Sequence, residues 1–280
     1  MRTDSIRPAA VAGSWYPGTR GALERDVDGY LEAVGPDALP RGRLDAVIVP
    51  HAGLMFSGPV GAYSYKAADA MGVHDTIVLV GPSHFAAFDG VALYPSGGFD
   101  TPAGVMSIDA GCARAIAAAS PVVHEHPCVH VREHSLEMQL PFLSRLAPAV
   151  PIVPLLMGYQ TAETAAALGA ALATALNGRK ALLIASTDLS HYHDAKAASA
   201  LDRVVIDCVA RFDADGLQAA LSATPEHACG GGPVVAVMRA ARAAGARDAR
   251  ILNYADSGDV SGDKSSVVGY LAAALGTFDN

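Results

Sequence analysis

The chain has 280 residues, is 51% hydrophobic and 17% charged, and carries a net charge of −8 at neutral pH. That composition allows a large buried core and argues against disorder. The acidic balance and the lack of any Lys/Arg cluster argue against nucleic acid as a partner, and no apolar run reaches the roughly 18 residues that a membrane-spanning helix needs.

The first segment, MRTDSIRPAAVAGSWYPG, has no basic stretch followed by an apolar one and does not read as a signal peptide. A helix is expected over Arg20–Val34. The apolar run Asp45–Val49 reads as a buried strand that stops at Pro50 and is followed by His51, Ala52 and Gly53. A helix over Pro59–Met71 is expected next, with Pro59 in the first turn, where a missing N–H costs nothing. Strand Thr76–Val80 repeats the earlier layout: Gly81, Pro82, Ser83 and then His84 follow it. His74, at the opposite end of that strand, reads as surface. Strand Val91–Tyr94 and helix Ala110–Ala119 lead to an irregular loop, Pro121–Arg132. Its His124, His126 and His130 read as solvated, although three histidines in seven positions also suit a metal. A helix over Glu133–Leu146 is expected to kink at Pro141. Its His134 and Glu137 then share one face, either as a helix-start pair or as part of a pocket wall.

Strand Pro151–Met157 and helix Ala162–Leu176 come next. Strand Ala181–Ala185 is then followed by Asp188, His191 and His193. Helices Lys196–Arg211, Ala214–Ser222 and Pro233–Ala244, and strands Arg250–Tyr254 and Ser266–Tyr270, complete the chain. Alternation of this kind predicts helices on both faces of one sheet. No linker or repeat divides residues 1–280, so one domain is expected. The cysteines Cys112, Cys128, Cys208 and Cys229 are scattered, with no CxxC pair, and read as reduced thiols of a cytoplasmic protein.

In open α/β sheets, ligands bind beyond the carboxyl ends of the strands. His51, His84, Asp188 and His191 all fall at such ends, which suggests one site approached from three strands. Asp188 lies near enough in sequence to hydrogen-bond a histidine ring and raise the pKa of His191. Cys229, before Gly230–Gly232 and the expected helix at Pro233, sits where helix N-termini lower thiol pKa values, so it is expected to be the most reactive thiol. The glycines suit close approach of the backbone to the site. No GxSxG elbow, Walker or Rossmann glycine pattern is present.

Seven motifs, GSWYP, PHAG, GPSH, EHSLEMQLPF, STDLSH, CGGGP and NYADSGDVSGDKSSVVGY, run in this order from Gly13 to Tyr270. The chain thereby resembles the Memo family, whose prokaryotic members are named for the Memo part of the AmmeMemoRadiSam system. The family resembles class III extradiol dioxygenases in fold, which implies α/β architecture: a three-layer α/β/α sandwich around a central mixed sheet. Those enzymes hold non-haem Fe(II) with two histidines and a glutamate and use a further histidine as acid/base. The Memo site puts a cysteine in place of the carboxylate.

Carried over residue by residue, the resemblance implies His51, His84 and Cys229 as metal ligands. It implies His191 as acid/base with Asp188 beside it. Trp15, Tyr16 and His134 are expected around the substrate, with plain packing as the other reading of Trp15. The implied cofactor is one metal ion, Fe(II) first, with copper or zinc as alternatives, since a thiolate is softer than a carboxylate and oxidisable. The implied function is a redox enzyme acting on a small molecule. The alternatives are an adaptor with a vestigial metal pocket that binds a peptide, or a zinc hydrolase with an open fourth position. Partners from the AmmeMemoRadiSam system are implied by the family name.

Overall fold

In the computed structural model, which describes residues 6–72 and 74–279, buried strands and helices alternate along most of the chain. The elements begin with β1 (Ile6–Arg7), α1 (Arg20–Ala33), β2 (Gly42–Val49), α2 (Leu54–Ala70) and β3 (Thr76–Pro82). They continue with β4 (Val91–Leu93), β5 (Gly98–Thr101), β6 (Gly104–Ser107), α3 (Ala110–Ala119), β7 (Val123–Glu125), α4 (Leu140–Leu146), β8 (Ile152–Met157) and α5 (Ala162–Ala175). The last part comprises β9 (Ala181–Ser186), β10 (His191–His193), α6 (Ala195–Ala210), α7 (Ala214–Ala223), α8 (Gly231–Ala243), β11 (Asp248–Asp256), α9 (Gly258–Ser261) and β12 (Val267–Phe278).

The main sheet has the order β10-β12-β2-β9-β3-β8-β4-β7, and β11 also pairs with β12. Strands β2, β9, β3 and β8 are mutually parallel. Strand β12 runs antiparallel to β2, and β4 antiparallel to β8, so the sheet is mixed. β1, β5 and β6 form a separate small sheet. No helix of the described residues is long and apolar enough to cross a membrane.

The central strands read as unbroken apolar runs because both of their faces are covered. Successive side chains point to opposite faces and enter different cores. Val78, Val80, Leu183, Ala185, Val153 and Leu155 pack with residues of α3, α5, α6, α7 and α8. Ile77, Leu79, Leu182, Ile184, Ile152 and Leu156 pack with residues of α1, α2 and α4. The result is the three-layer α/β/α sandwich around a mixed sheet.

Several local expectations change. α2 starts at Leu54, directly after Gly53, so Pro59 lies inside the helix and not in its first turn. The expected helix over 133–146 shrinks to α4, preceded by a 3-10 turn at Glu137–Gln139, and Pro141 opens α4 and does not kink it. The cause lies in Glu133, whose Oε1 accepts from the backbone N–H groups of His134 and Ser135, a local alternative to helix. The expected strand Ser266–Tyr270 is the start of the twelve-residue β12. His191 and His193 stand in a short strand and not in a loop. His74 is half-buried. His130 is buried, with its Nε2 3.1 Å from the Ala92 carbonyl and its ring against Tyr94 and Phe99, so it is not a solvated loop residue.

The segment from Arg7 to Tyr16 is fixed by a buried ion pair. Arg7 Nη1 lies 2.6 Å from Glu137 Oε2, and both side chains are fully buried. Arg7 Nε also donates to the His130 carbonyl at 2.6 Å. Glu137 accepts from the backbone of Ala10 and Val11 and from the Tyr16 hydroxyl at 2.8 Å. Removing one partner of such a pair strands the other charge in the interior. Glu137→Ala is therefore expected to lose about 3–5 kcal/mol of unfolding free energy in urea titrations. A loss below about 1 kcal/mol, the range of surface pairs, would contradict this account.

Candidate metal centre

Because β2, β3 and β9 are parallel, their carboxyl ends lie at one edge of the sheet. Pro50 and His51 follow β2, Ser83 and His84 follow β3, and Thr187 to Ser190 follow β9. Cys229 arrives from the other side of the chain, just before α8. The rings of His51 and His84 meet edge to face, with centroids 5.2 Å apart. Cys229 Sγ lies 3.2 Å from His51 Nε2. One donor atom each from His51, His84 and Cys229 lie within 4.8 Å of one another. Two donors on one tetrahedral ion, with bonds of about 2.0–2.3 Å, stand about 3.5 Å apart, so these three atoms could hold a metal ion after a small closure.

Hydrogen bonding fixes which ring nitrogen is free. Ser186 Oγ donates its one proton to the Ser135 carbonyl at 2.7 Å and accepts from Gln139 Nε2 at 2.9 Å. His51 Nδ1 lies 2.8 Å from the same oxygen and must therefore be the donor. That leaves the lone pair of His51 on Nε2, the nitrogen facing Cys229. His84 Nδ1 lies 2.9 Å from Glu133 Oε1, and Glu133 Oε2 accepts from the His84 backbone N–H. Burial raises the Glu133 pKa, but the bonds from His84 and Ser135 outweigh it and hold the carboxyl down to about 2. A carboxylate on Nδ1–H frees His84 Nε2 in the same way, as at many metal-bound histidines.

A second donor group, His84, Glu133 and His134, also lies within metal range. There Glu133 Oε1 is already engaged by His84 Nδ1 and by the amides of His134 and Ser135. This carboxylate orients a histidine and is not free to bind an ion, which favours the His/His/Cys set.

The electrostatics correct one expectation about Cys229. Burial, followed by the charge of Asp188, raises its thiol pKa, so the helix start at α8 does not activate it. Burial is the first cause at the neighbours too: it lowers His51, lowers His191, and brings His134 down to about 4. Asp188 is raised to about 7 by burial, against the opposing bonds from the amides of His51 and Ala52.

The expected link from Asp188 to the His191 ring is not formed. Asp188 Oδ1 accepts from His51 N at 2.7 Å, while His191 Nδ1 lies 2.8 Å from the Leu189 carbonyl. His191 is accordingly lowered and not raised. Trp15, His51, His84, His134, Asp188, His191, Tyr192 and Cys229 share one cavity of about 430 Å³. His134 stacks on His84 at 4.6 Å and packs against Trp15 at 4.4 Å. Tyr16 is not a wall of this cavity: it is buried, and its hydroxyl is held by Glu137.

Glu133, Ser186, Gln139 and Tyr192 were not anticipated. Tyr192 is 79% exposed and has a left-handed backbone, φ 64°, where the pairing of β10 with β12 slips. A bulge of this kind re-aims side chains beside a site.

A family model described as Memo-like protein matches residues 7–274. A MEMO1 family protein of Methanothermobacter thermautotrophicus is 41% identical, over 95% of this chain and 98% of its own. One from Methanopyrus kandleri is 36% identical, over 95% of this chain and 97% of its own. The crystal structure of an uncharacterized protein from Escherichia coli K12 superposes with a TM-score of 0.52 at 17% identity, over 84% of this chain and 100% of the other. That last likeness concerns the fold alone.

The thiols should separate in labelling experiments. Cys128 is exposed, whereas Cys229 is half-buried and its thiol is held protonated. In metal-free protein, iodoacetamide should modify Cys128 before Cys229, as mapped by peptide mass spectrometry. Added Zn(II) or Fe(II) should slow modification of Cys229 and leave Cys128 unchanged. Equal Cys229 labelling with and without metal would remove it from the donor set.

Proposed function

This chain belongs to the Memo-like protein family, and from that premise we propose that it is a metal-dependent redox enzyme acting on a small molecule. In this reading His51, His84 and Cys229 hold one Fe(II) or copper ion. The observation that carries it is the donor set: two imidazoles whose Nδ1 protons are engaged, and one thiol 3.2 Å from a free Nε2. Thiolate and imidazole together suit iron, copper or zinc and do not suit magnesium or calcium. When bound, such an ion would supply electron transfer and polarise a substrate atom.

The remaining residues bind, orient and move protons. Trp15 and the stacked His134 wall one side of the cavity. Asp188 holds the backbone N–H of His51 and so fixes the turn after β2. His191 gives its Nδ1 proton to the Leu189 carbonyl, which leaves Nε2 as the proton-accepting nitrogen within the cavity wall. Its role is to take a proton from the substrate, a contribution worth typically 10²–10⁴-fold in rate.

Metal analysis of protein purified without oxygen tests this reading. About one iron or copper ion per chain is expected. His51→Ala and Cys229→Ala should lose the ion, and His191→Ala should keep it. Stoichiometric zinc would replace the redox reading with a hydrolytic one. Protein that binds a peptide equally well without any metal would favour a binding module.

A further inference from the structure

We propose that Gln160 is the positioning residue for the Cys229 thiol, an inference that rests on the His/His/Cys reading of the site. Gln160 follows the carboxyl end of β8, the strand beside β3. It does not line the cavity that holds His51 and His84. It approaches the cysteine turn from behind. Its Nε2 donates to the Cys229 carbonyl at 2.7 Å, and its Oε1 accepts from Gly232 N at 2.8 Å. One side-chain amide thus spans the turn from the cysteine to the first residues of α8 and satisfies one N–H that a helix start leaves without an intrahelical partner.

The turn needs such a clamp because side chains cannot hold it. A Cβ at Gly230 would collide with the Ser186 carbonyl, and one at Gly232 would lie 2.7 Å from Met157 Sδ and 2.9 Å from Gln160 Cβ. Only glycine allows the backbone this close to β9 and β8. Glycine is also the residue with the most backbone freedom to lose. Hydrogen bonds must then set the conformation. On the β9 side, Cys229 N donates to the Asp188 carbonyl at 3.2 Å and Gly230 N donates to Thr187 Oγ1 at 2.9 Å. Both fix N–H groups. Gln160 fixes the Cys229 carbonyl, the opposite edge of the peptide whose Gly230 N–H is held by Thr187. With the Gln160 bond gone, the carbonyl side of Cys229 would be free to shift, and the Cα that carries Sγ would shift with it relative to His51 Nε2. Partners that orient metal ligands typically govern 10–100-fold in affinity, and Gln160 acts on the backbone of its ligand, so about tenfold is expected.

The test is a titration of the metal-free, full-length protein with Co(II) against a competing chelator, without oxygen. The readouts are affinity and the near-ultraviolet charge-transfer absorption of a thiolate bound to Co(II). Cys229→Ser is measured first. If it keeps wild-type affinity, the His/His/Cys reading fails, whatever Gln160 does. With Cys229 established as a ligand, Gln160→Ala should weaken Co(II) binding about tenfold and diminish or shift the thiolate band. Gln160→Glu keeps an acceptor for Gly232 N–H but sets an oxygen against the Cys229 carbonyl, so it should weaken binding and alter the band at least as much as Gln160→Ala. If Gln160→Ala does not fold, Gln160→Glu decides alone. Wild-type affinity and an unchanged band in the folded variants would overturn the inference. A lower melting temperature with an unchanged band would do so as well, since it reports a structural role only.

Discussion

The geometry of the candidate site turns on one hydroxyl group at the end of β9. Ser186 Oγ has one proton to give and two lone pairs to offer, and all three are engaged. Its bond to Ser135 ties β9 to the segment that carries Glu133 and His134. Its bond from Gln139 ties it to the start of α4, and Gln139 also reaches the Pro50 carbonyl just before His51. The third bond sets the tautomer of His51. Ser186 therefore both joins three separate stretches of chain and determines the nitrogen that is left to act. Glu133 does the same for His84, with a carboxylate in place of a hydroxyl. Each imidazole is thus aimed by a buried group that never faces the cavity.

The sheet explains why these groups can meet. Four parallel strands bring their carboxyl ends to one edge, and each end contributes a different layer of the site. β2 and β3 supply the imidazoles. β9 supplies the hydroxyl and carboxylate that orient the His51 turn. β8 supplies the amide that braces the cysteine from behind. A cavity of about 430 Å³ is left between them, walled largely by rings. The groups that orient its imidazoles, Ser186 and Glu133, are buried, and the central strands beneath them are covered on both faces.

Much of this was legible in the sequence, and the exceptions have physical causes. Uninterrupted apolar runs followed by proline, glycine and histidine marked the ends of β2 and β3, because a strand covered on both faces has no polar positions to hide it. The layers followed from alternation of strands and helices. Pro59 reads as a first-turn proline, whereas α2 already starts after Gly53. The region 133–139 reads as helix in sequence, but the Glu133 carboxylate captures the local amides. The partnerships of Ser186, Glu133 and Gln160 span 135, 49 and 69 positions respectively, and nothing in the local sequence encodes them. The raised Cys229 thiol could not be foreseen either, since burial depends on what packs around the turn and not on the turn itself.

Cys229 and His51 lie 178 positions apart in the chain and 3.2 Å apart in space. An ion shared between them would tie the end of β2 to the start of α8, closing a loop that includes most of the sheet. In an unfolded chain that closure is entropically costly, and its cost grows only slowly with loop length. Such an ion would therefore work as a removable staple, comparable in topology to a disulfide but reversible by chelation. When it leaves, the turn before α8 would keep its hydrogen bonds to Gln160, Thr187 and Asp188, and the central strands would keep their two apolar cores. Chelation would then remove one long-range tie and leave the local bonds of the turn intact and the sandwich itself closed.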